Sequence, residues 1–330
     1  MNKLIVIYKI LSGLILLLAN TAMADEGRWV VRDAEIMGTT IHTEVWHEDH
    51  VLAQQVAELV LQTMHEVNQT MSPYIKSSEL SIINHRAGSE IIALSQPLYE
   101  VIARSLYYSD ITQGAFDITF ASVGYLYDYR KQKRPSKSVI KEQLTGVNYR
   151  HIDLNDENNT IHFKHPQVRI DLGGIAKGYA VDVAIERASA RGIEHILVTA
   201  GGDTRILGDR HGRPWVIGIR HPLDKDKVIA KIPLVNEALS TSGDYERYFD
   251  EDGVRYHHII DPKTGDSARS VRSVTILGRH AMDTDALSTS VFVLGAARGL
   301  ALLESLPHIE GIIVDSEANL LFSSGLQNVE

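Results

Sequence analysis

The chain has 330 residues, with 33 Lys and Arg against 42 Asp and Glu and a formal charge of −9. No global basic field exists, which argues against nonspecific nucleic-acid binding. Cysteine is absent, so disulfides, thiol nucleophiles, iron–sulfur clusters and cysteine-ligated zinc are excluded.

Residues 1–24 have the pattern of a secretory signal: Lys3 and Lys9, a short apolar run over 10–19, and Ala22-Met23-Ala24 as a small-x-small cleavage site. The expectation is removal on export, leaving residues 25–330 as one periplasmic unit with no cysteine for a lipid anchor. No later apolar run reaches the 18 or so residues that a membrane span needs. Residues 41–45 alternate like a strand. Val56, Leu59, Val60, Met64 and Val67 recur at helical spacing within 51–71. A second helix is expected over 97–112, with Pro97 in its first turn and Gly114 past its end. Residues 130–141 hold six basic side chains and no acid, which reads as a solvated loop or a docking patch for a partner or an anionic membrane surface. Further on, 177–191 reads as a helix closed by Gly192. Residues 196–198, 215–219 and 274–277 read as strands, a helix is expected from about Asp283, and 311–314 with 320–322 read as a hairpin. Strands and helices mixed without a strict βαβ rhythm predict an α+β fold, one compact body of one or two lobes.

Four clusters carry chemistry. Residues 171–180, Asp-Leu-Gly-Gly-Ile-Ala-Lys-Gly-Tyr-Ala, set a glycine pair before a helix, where backbone N–H groups and Lys177 suit a phosphate; a plain strand-to-helix turn explains the same letters. Gly201-Gly202-Asp203 follows a strand and allows close backbone approach. Ser240-Thr241-Ser242-Gly243 offers hydroxyls, and His258 with Asp261 offers a proton acceptor and a group to orient it. Asp285 and Thr289 lie four apart on one helix face, a carboxylate and a hydroxyl suited to a hard cation; Asp283 also reads as an N-cap.

In order along the chain, these pieces resemble the ApbE family, the FAD:protein FMN transferases. The resemblance includes Met37-Gly38-Thr39, Met71-Ser72-Pro73-Tyr74, Ser78-Glu79-Leu80-Ser81 with Asn84, and Gly114-Ala115-Phe116-Asp117-Ile118-Thr119. It continues through 171–180, Gly201-Gly202-Asp203, Ser240-Thr241-Ser242-Gly243, residues 258–265 and Asp285 with Thr289. It implies that FAD is cleaved, AMP released, and FMN attached through a phosphoester to a Thr or Ser of a target protein. By matching positions, Met37, Tyr74, Ala115, Phe116, Asp117, Lys177, Val183 and Ile260 line the flavin site. Asp285, Thr289 and the carbonyl of Ala180 hold Mg²⁺, and His258 is the catalytic histidine. Asp261 is expected to orient His258, with Asp285 a second possible base. Where many relatives have Gly-Pro-Leu after Thr119, this chain has Phe120-Ala121-Ser122. It carries no clear flavin-acceptor motif of its own, so the acceptor is another protein, by the resemblance a subunit of a membrane redox complex or an exported reductase. Two rivals share these residues: an FAD pyrophosphatase yielding FMN and AMP, and a noncatalytic periplasmic flavin-binding protein.

Overall fold

The computed structural model describes residues 29–327; the segment read as a signal lies outside the described residues. In chain order the elements are β1 (Trp29–Ile36), β2 (Thr39–Trp46), α1 (His50–Met71), α2 (Glu79–Arg86), β3 (Ile92–Ala93), α3 (Gln96–Ile111), α4 (Ala121–Gly124), α5 (Lys137–Gln143), β4 (Ile152–Asn155), β5 (Thr160–Phe163), α6 (Ala176–Ser189), β6 (His195–Ala200), β7 (Asp203–Leu207), β8 (Trp215–His221), β9 (Asp224–Leu234), β10 (Ala238–Gly243), β11 (Tyr248–Glu251), β12 (Val254–His257), β13 (Val271–Gly278), α7 (Ala281–Leu294), α8 (Ala296–Glu304), β14 (Glu310–Asp315) and β15 (Leu320–Phe322).

Eight strands form an antiparallel sheet in the order β1-β2-β6-β7-β10-β13-β14-β15. Period-2 alternation assigns its two faces. Ile196, Val198 and Ile276 join the large core beneath α1, α6 and α7. Their chain neighbours Leu197 and Leu277 point the other way, with Ile206 and Leu239, and meet Trp215 and Leu234 of the separate β8–β9 ribbon. The central sheet is therefore covered on both faces. A small sheet, β3-β5-β4, lies apart from it in the hydrogen-bond topology. The architecture is α+β, as expected.

The expected helices appear within two residues of their sequence bounds. Helix α1 is capped by Asp49, whose carboxylate accepts from Val51 and Leu52 N–H. After α3, Gly114 takes a positive φ of 78° that closes the helix. Two expectations need correction. The glycine pair at 173–174 does not follow a sheet strand, because residues 164–175 belong to no strand. They are held instead by the side chain of Asn84, which bonds both N–H and C=O of Ile170 at 2.8 and 2.9 Å. And α7 begins at Ala281, not Asp283. Its N-terminal N–H groups at Ala281 and Met282 are capped by Asp182 of α6, 2.9 Å from each, while Asp283 pairs with Arg104 at 2.8 Å.

Candidate active site

Helices α6 and α7 cross closely because residue 178 is glycine. A Cβ there would stand 2.1 Å from the carbonyl oxygen of Ala281, an impossible contact for any other residue without moving a helix. The close crossing lets Gly178 N–H donate to Asp285 Oδ2 at 3.1 Å. One position earlier, Lys177 Nζ lies 3.2 Å from Asp285 Oδ2 and 3.0 Å from Asp203 Oδ2, and donates to the carbonyl of Gly173 at 2.8 Å. Asp203 stands at the tip of the β6–β7 hairpin. That tip is tight: a Cβ on Gly202 would lie 2.6 Å from Thr241 O, and Gly201 takes a positive φ of 63°.

The result is one ammonium between two carboxylates, Asp203 and Asp285, that are 2% and 3% exposed. Burial alone would strip the proton from Lys177, but the two carboxylates outweigh it and hold the ammonium above its ordinary pKa. Asp285 is pushed well above the usual carboxylate range, by burial first and then by the negative charge of Asp203. Asp203 Oδ2 is buried against the lysine charge at 3.0 Å and takes no other hydrogen bond, so acceptor capacity remains.

Hydroxyls line the next turn of α7. Ser242 Oγ is 2.8 Å from Ser288 Oγ and 3.4 Å from Thr289 Oγ1. The backbone beside Thr289 is that of Gly174: a Cβ there would lie 3.3 Å from Thr289 Oγ1 and 3.4 Å from the Phe116 ring. Asp285, Thr289, Lys177 and Phe116 are thus brought to one place around the glycine turn. Ala180 lies inside α6 with its side chain fully buried; its carbonyl oxygen has a second lone pair beyond the one used in the helical ladder, so the expected metal-ligand role stays open to it.

The other expected residues divide. His258 N–H donates to Arg247 O at 3.1 Å, and Arg247 Nη2 donates to Gly38 O at 3.0 Å, beside Met37 in the β1–β2 turn. The buried Nδ1 of His258 has no partner. Burial, then the charges of His257, Arg247 and Lys177, pull its pKa down to about 3, so the ring is neutral and Nδ1 is unengaged. Asp261 does not orient it. Its Oδ1 accepts from Lys263 N at 2.9 Å, and its carbonyl closes the 261–265 turn; the Asp-Pro-Lys-Thr-Gly letters build a turn. Tyr74 is 83% exposed. Ala115 and Phe116 are buried, whereas the Asp117 carboxylate is taken up by Thr119 N, Thr119 Oγ1 and Tyr149 N. Ile260 packs with Val123, Tyr127 and Ile140 under the His258 loop. Val183 lies on another face of α6 from Lys177, lining a separate cavity of about 430 Å³ with Glu100, Arg104 and Glu186.

Sequence reasoning did not place Asp203 or Arg247 in the site. Asp203 was visible as the residue ending a Gly-Gly hairpin. Arg247, in Tyr-Glu-Arg-Tyr, carries no local signal, since its role comes from reaching Gly38, 209 residues away.

A buried lysine–carboxylate cluster beneath a glycine turn, with hydroxyls beside it, is an arrangement suited to phosphate oxygens. The comparisons make this specific. The ApbE family model matches residues 37–313, and the chain belongs to the ApbE family. It is similar to the FAD:protein FMN transferase of Vibrio cholerae, 36% identical over 279 residues and 82% of each chain, and to that of Haemophilus influenzae, 34% identical over 312 residues and 90% of each. Among solved structures, it resembles the ApbE protein of Thermotoga maritima with a TM-score of 0.85 at 34% identity, covering 91% of this chain and 98% of that one. The flavin transferase ApbE of Vibrio cholerae matches with a TM-score of 0.81 at 31% identity, over 91% and 98%. The protein is an enzyme, an FAD:protein FMN transferase, with FAD as substrate and a protein as acceptor.

Proposed function

We propose that the enzyme joins FMN to a Thr or Ser hydroxyl through a phosphoester, releases AMP, and depends on Mg²⁺. The observation that carries this reading is the Lys177 ammonium between Asp203 and Asp285. Positive charge and oxygen donors converge there on the Gly173–Gly174 turn, where a pyrophosphate would approach. The acceptor oxygen attacks the FMN phosphorus as the pyrophosphate P–O bond breaks, and AMP leaves with the bridging oxygen. Lys177 offsets the charge of the phosphates. The hydroxyl proton passes to a base. His258 is the candidate, because its Nδ1 is unengaged and the phosphates' negative charge raises the ring's proton affinity when they bind. Phe116 flanks the turn, and it and the exposed Tyr74 meet the flavin or adenine face.

The donors suit Mg²⁺. Asp285, Thr289 and Asp203 Oδ2 are all hard oxygen ligands. Mg²⁺ commonly takes one or two protein carboxylates and fills its shell with water and substrate phosphate. When bound, Mg²⁺ supplies Lewis-acid stabilisation of the phosphate charge.

Residues 1–24 are proposed to direct export to the periplasm, leaving 25–330 as the working domain. The acceptor is proposed to be an exported reductase or a subunit of a membrane redox complex. Among the described residues no helix is long and apolar enough to cross a membrane. The test is incubation with FAD, with and without Mg²⁺, and a protein acceptor, followed by mass spectrometry of the acceptor and quantitation of AMP. A covalent FMN increment on Thr or Ser with equimolar, Mg²⁺-dependent AMP supports the reading; free FMN and AMP without an acceptor adduct would replace it with hydrolysis.

A further inference from the structure

The basic run at 130–141 has no part in the chemistry above, yet the fold fixes it beside the site. It is held from beneath by side chains other than its exposed cations. Tyr127 Oη donates to Gly265 O at 2.9 Å, and Tyr129 Oη donates to His257 O at 3.3 Å. Asp128 and Lys133 exchange two backbone hydrogen bonds of 2.9 Å, closing a hairpin turn. Arg134 pairs with Glu251 at 2.5 Å and lies over the Tyr256 ring. All of these anchors except the turn itself reach residues 251–265, the stretch that carries His258. The remaining cations, Arg130, Lys131, Lys133, Lys137 and Lys141, are exposed. Lys131 pairs with Asp128 inside the same turn. Arg169 adds a further cation over the Tyr125 ring.

This is a local positive rim on a chain whose formal charge is −9. Evenly solvated charge would need no such scaffold, whereas a rim pinned to the catalytic loop is suited to positioning something that must enter the cleft. The established reaction requires a second protein to do so.

We propose that the 130–141 rim is the docking surface for the acceptor protein, and that it engages an acidic stretch flanking the residue that receives FMN. Charge complementarity at the rim of an interface chiefly speeds encounter and fixes register, and it weakens with salt. The inference rests on the acceptor being a protein; it does not require Mg²⁺ or a particular base.

The experiment uses the full-length enzyme and a Lys133→Glu, Lys137→Glu, Lys141→Glu variant, none of which touches the proposed catalytic residues. The acceptor source is a protein extract of the producing cells with this gene deleted. Covalent flavin is read by in-gel fluorescence after FAD is added at 20 mM and at 500 mM NaCl, and FAD affinity is read by flavin fluorescence quenching. The expected result is labelling slowed about tenfold or more at low salt, a gap that closes at high salt, and unchanged FAD affinity. Equal labelling rates at low salt would overturn the proposal. So would a loss that persists at high salt, which would mark a structural defect. Binding to phosphatidylglycerol vesicles that the variant loses while labelling is unchanged would overturn it in favour of a membrane surface. Absence of labelling by the unaltered enzyme would instead remove the transfer reaction itself.

Discussion

Asp182 and Asp285 sit on the same pair of helices, are both buried, and both have raised pKa values with burial as the leading cause. Their surroundings differ in one respect. Asp182 is fully engaged: Oδ1 accepts from Arg205 at 2.8 Å and from Ala281 N, and Oδ2 accepts from Met282 N. Asp285 faces a second carboxylate, that of Asp203, across a shared lysine. A saturated buried carboxylate stabilises the crossing of two helices. Two carboxylates, Asp203 and Asp285, sharing one lysine keep acceptor capacity for a ligand that arrives later. The adjacent histidines repeat the contrast. His257 accepts from Ile259 N at Nδ1 and donates from Nε2 to Ala268 O at 2.6 Å, while His258 Nδ1 is left open.

The sharpest way to break the comparison is to remove each carboxylate. Asp182→Ala leaves Arg205 with only the distant Glu186, at 3.7 Å, and orphans two N–H groups at the head of α7. The expected loss is about 3–5 kcal/mol of stability, read as a lower urea midpoint, with near-normal turnover in whatever remains folded. Asp285→Ala should do the opposite: a stability change of at most about 1 kcal/mol, because it relieves repulsion with Asp203, and FMN transfer reduced about a thousandfold. If both variants lose stability and activity in the same proportion, the division between them is wrong. Gly178→Ala tests the geometry that both depend on. Its Cβ must displace the Ala281 carbonyl, so a loss of about 3 kcal/mol is expected, with activity falling alongside because Gly178 N–H leaves Asp285.

Much of this was legible in the sequence, for reasons that differ by residue. Helix α1 announces itself through apolar spacing, α3 through Pro97 in its first turn and Gly114 past its end, and α6 through its closing Gly192, because those signals are local. Asp285 and Thr289 could be paired from their four-residue spacing alone. Asp261 was misplaced because position in a motif does not give the direction a group points: its carboxylate accepts from Lys263 N and its carbonyl closes its own turn. Asp203 and Arg247 depend on contacts between distant segments, and the N-cap of α7 comes from another helix altogether. Of these, Asp203 alone has a sequence-local signature, the Gly-Gly pair before it.

The two histidines give the finer tests. His258→Ala removes the unengaged Nδ1, and transfer is expected to slow about a hundredfold while FAD affinity changes less than twofold; equal losses in both would make His258 a binding residue. His257 should act on stability alone. Its ring is 2% exposed, packs edge-on against Phe292, and has its pKa lowered to about 4, by burial first. The unfolded chain, with a histidine near 6.5, therefore binds the extra proton more readily than the native state does. This contribution to stability is complete above pH 6.5 and declines as pH falls toward 4, by an amount on the order of 2–3 kcal/mol. His257→Gln keeps a donor for Ala268 O but cannot titrate, so it should be less stable than the unaltered protein at pH 7.5 and lose less between pH 7.5 and 5. Urea midpoints at pH 7.5, 6.0 and 5.0 measure both slopes. Parallel slopes would show that acid sensitivity arises at other groups, and that saturating the bonds of His257 does not keep its proton off.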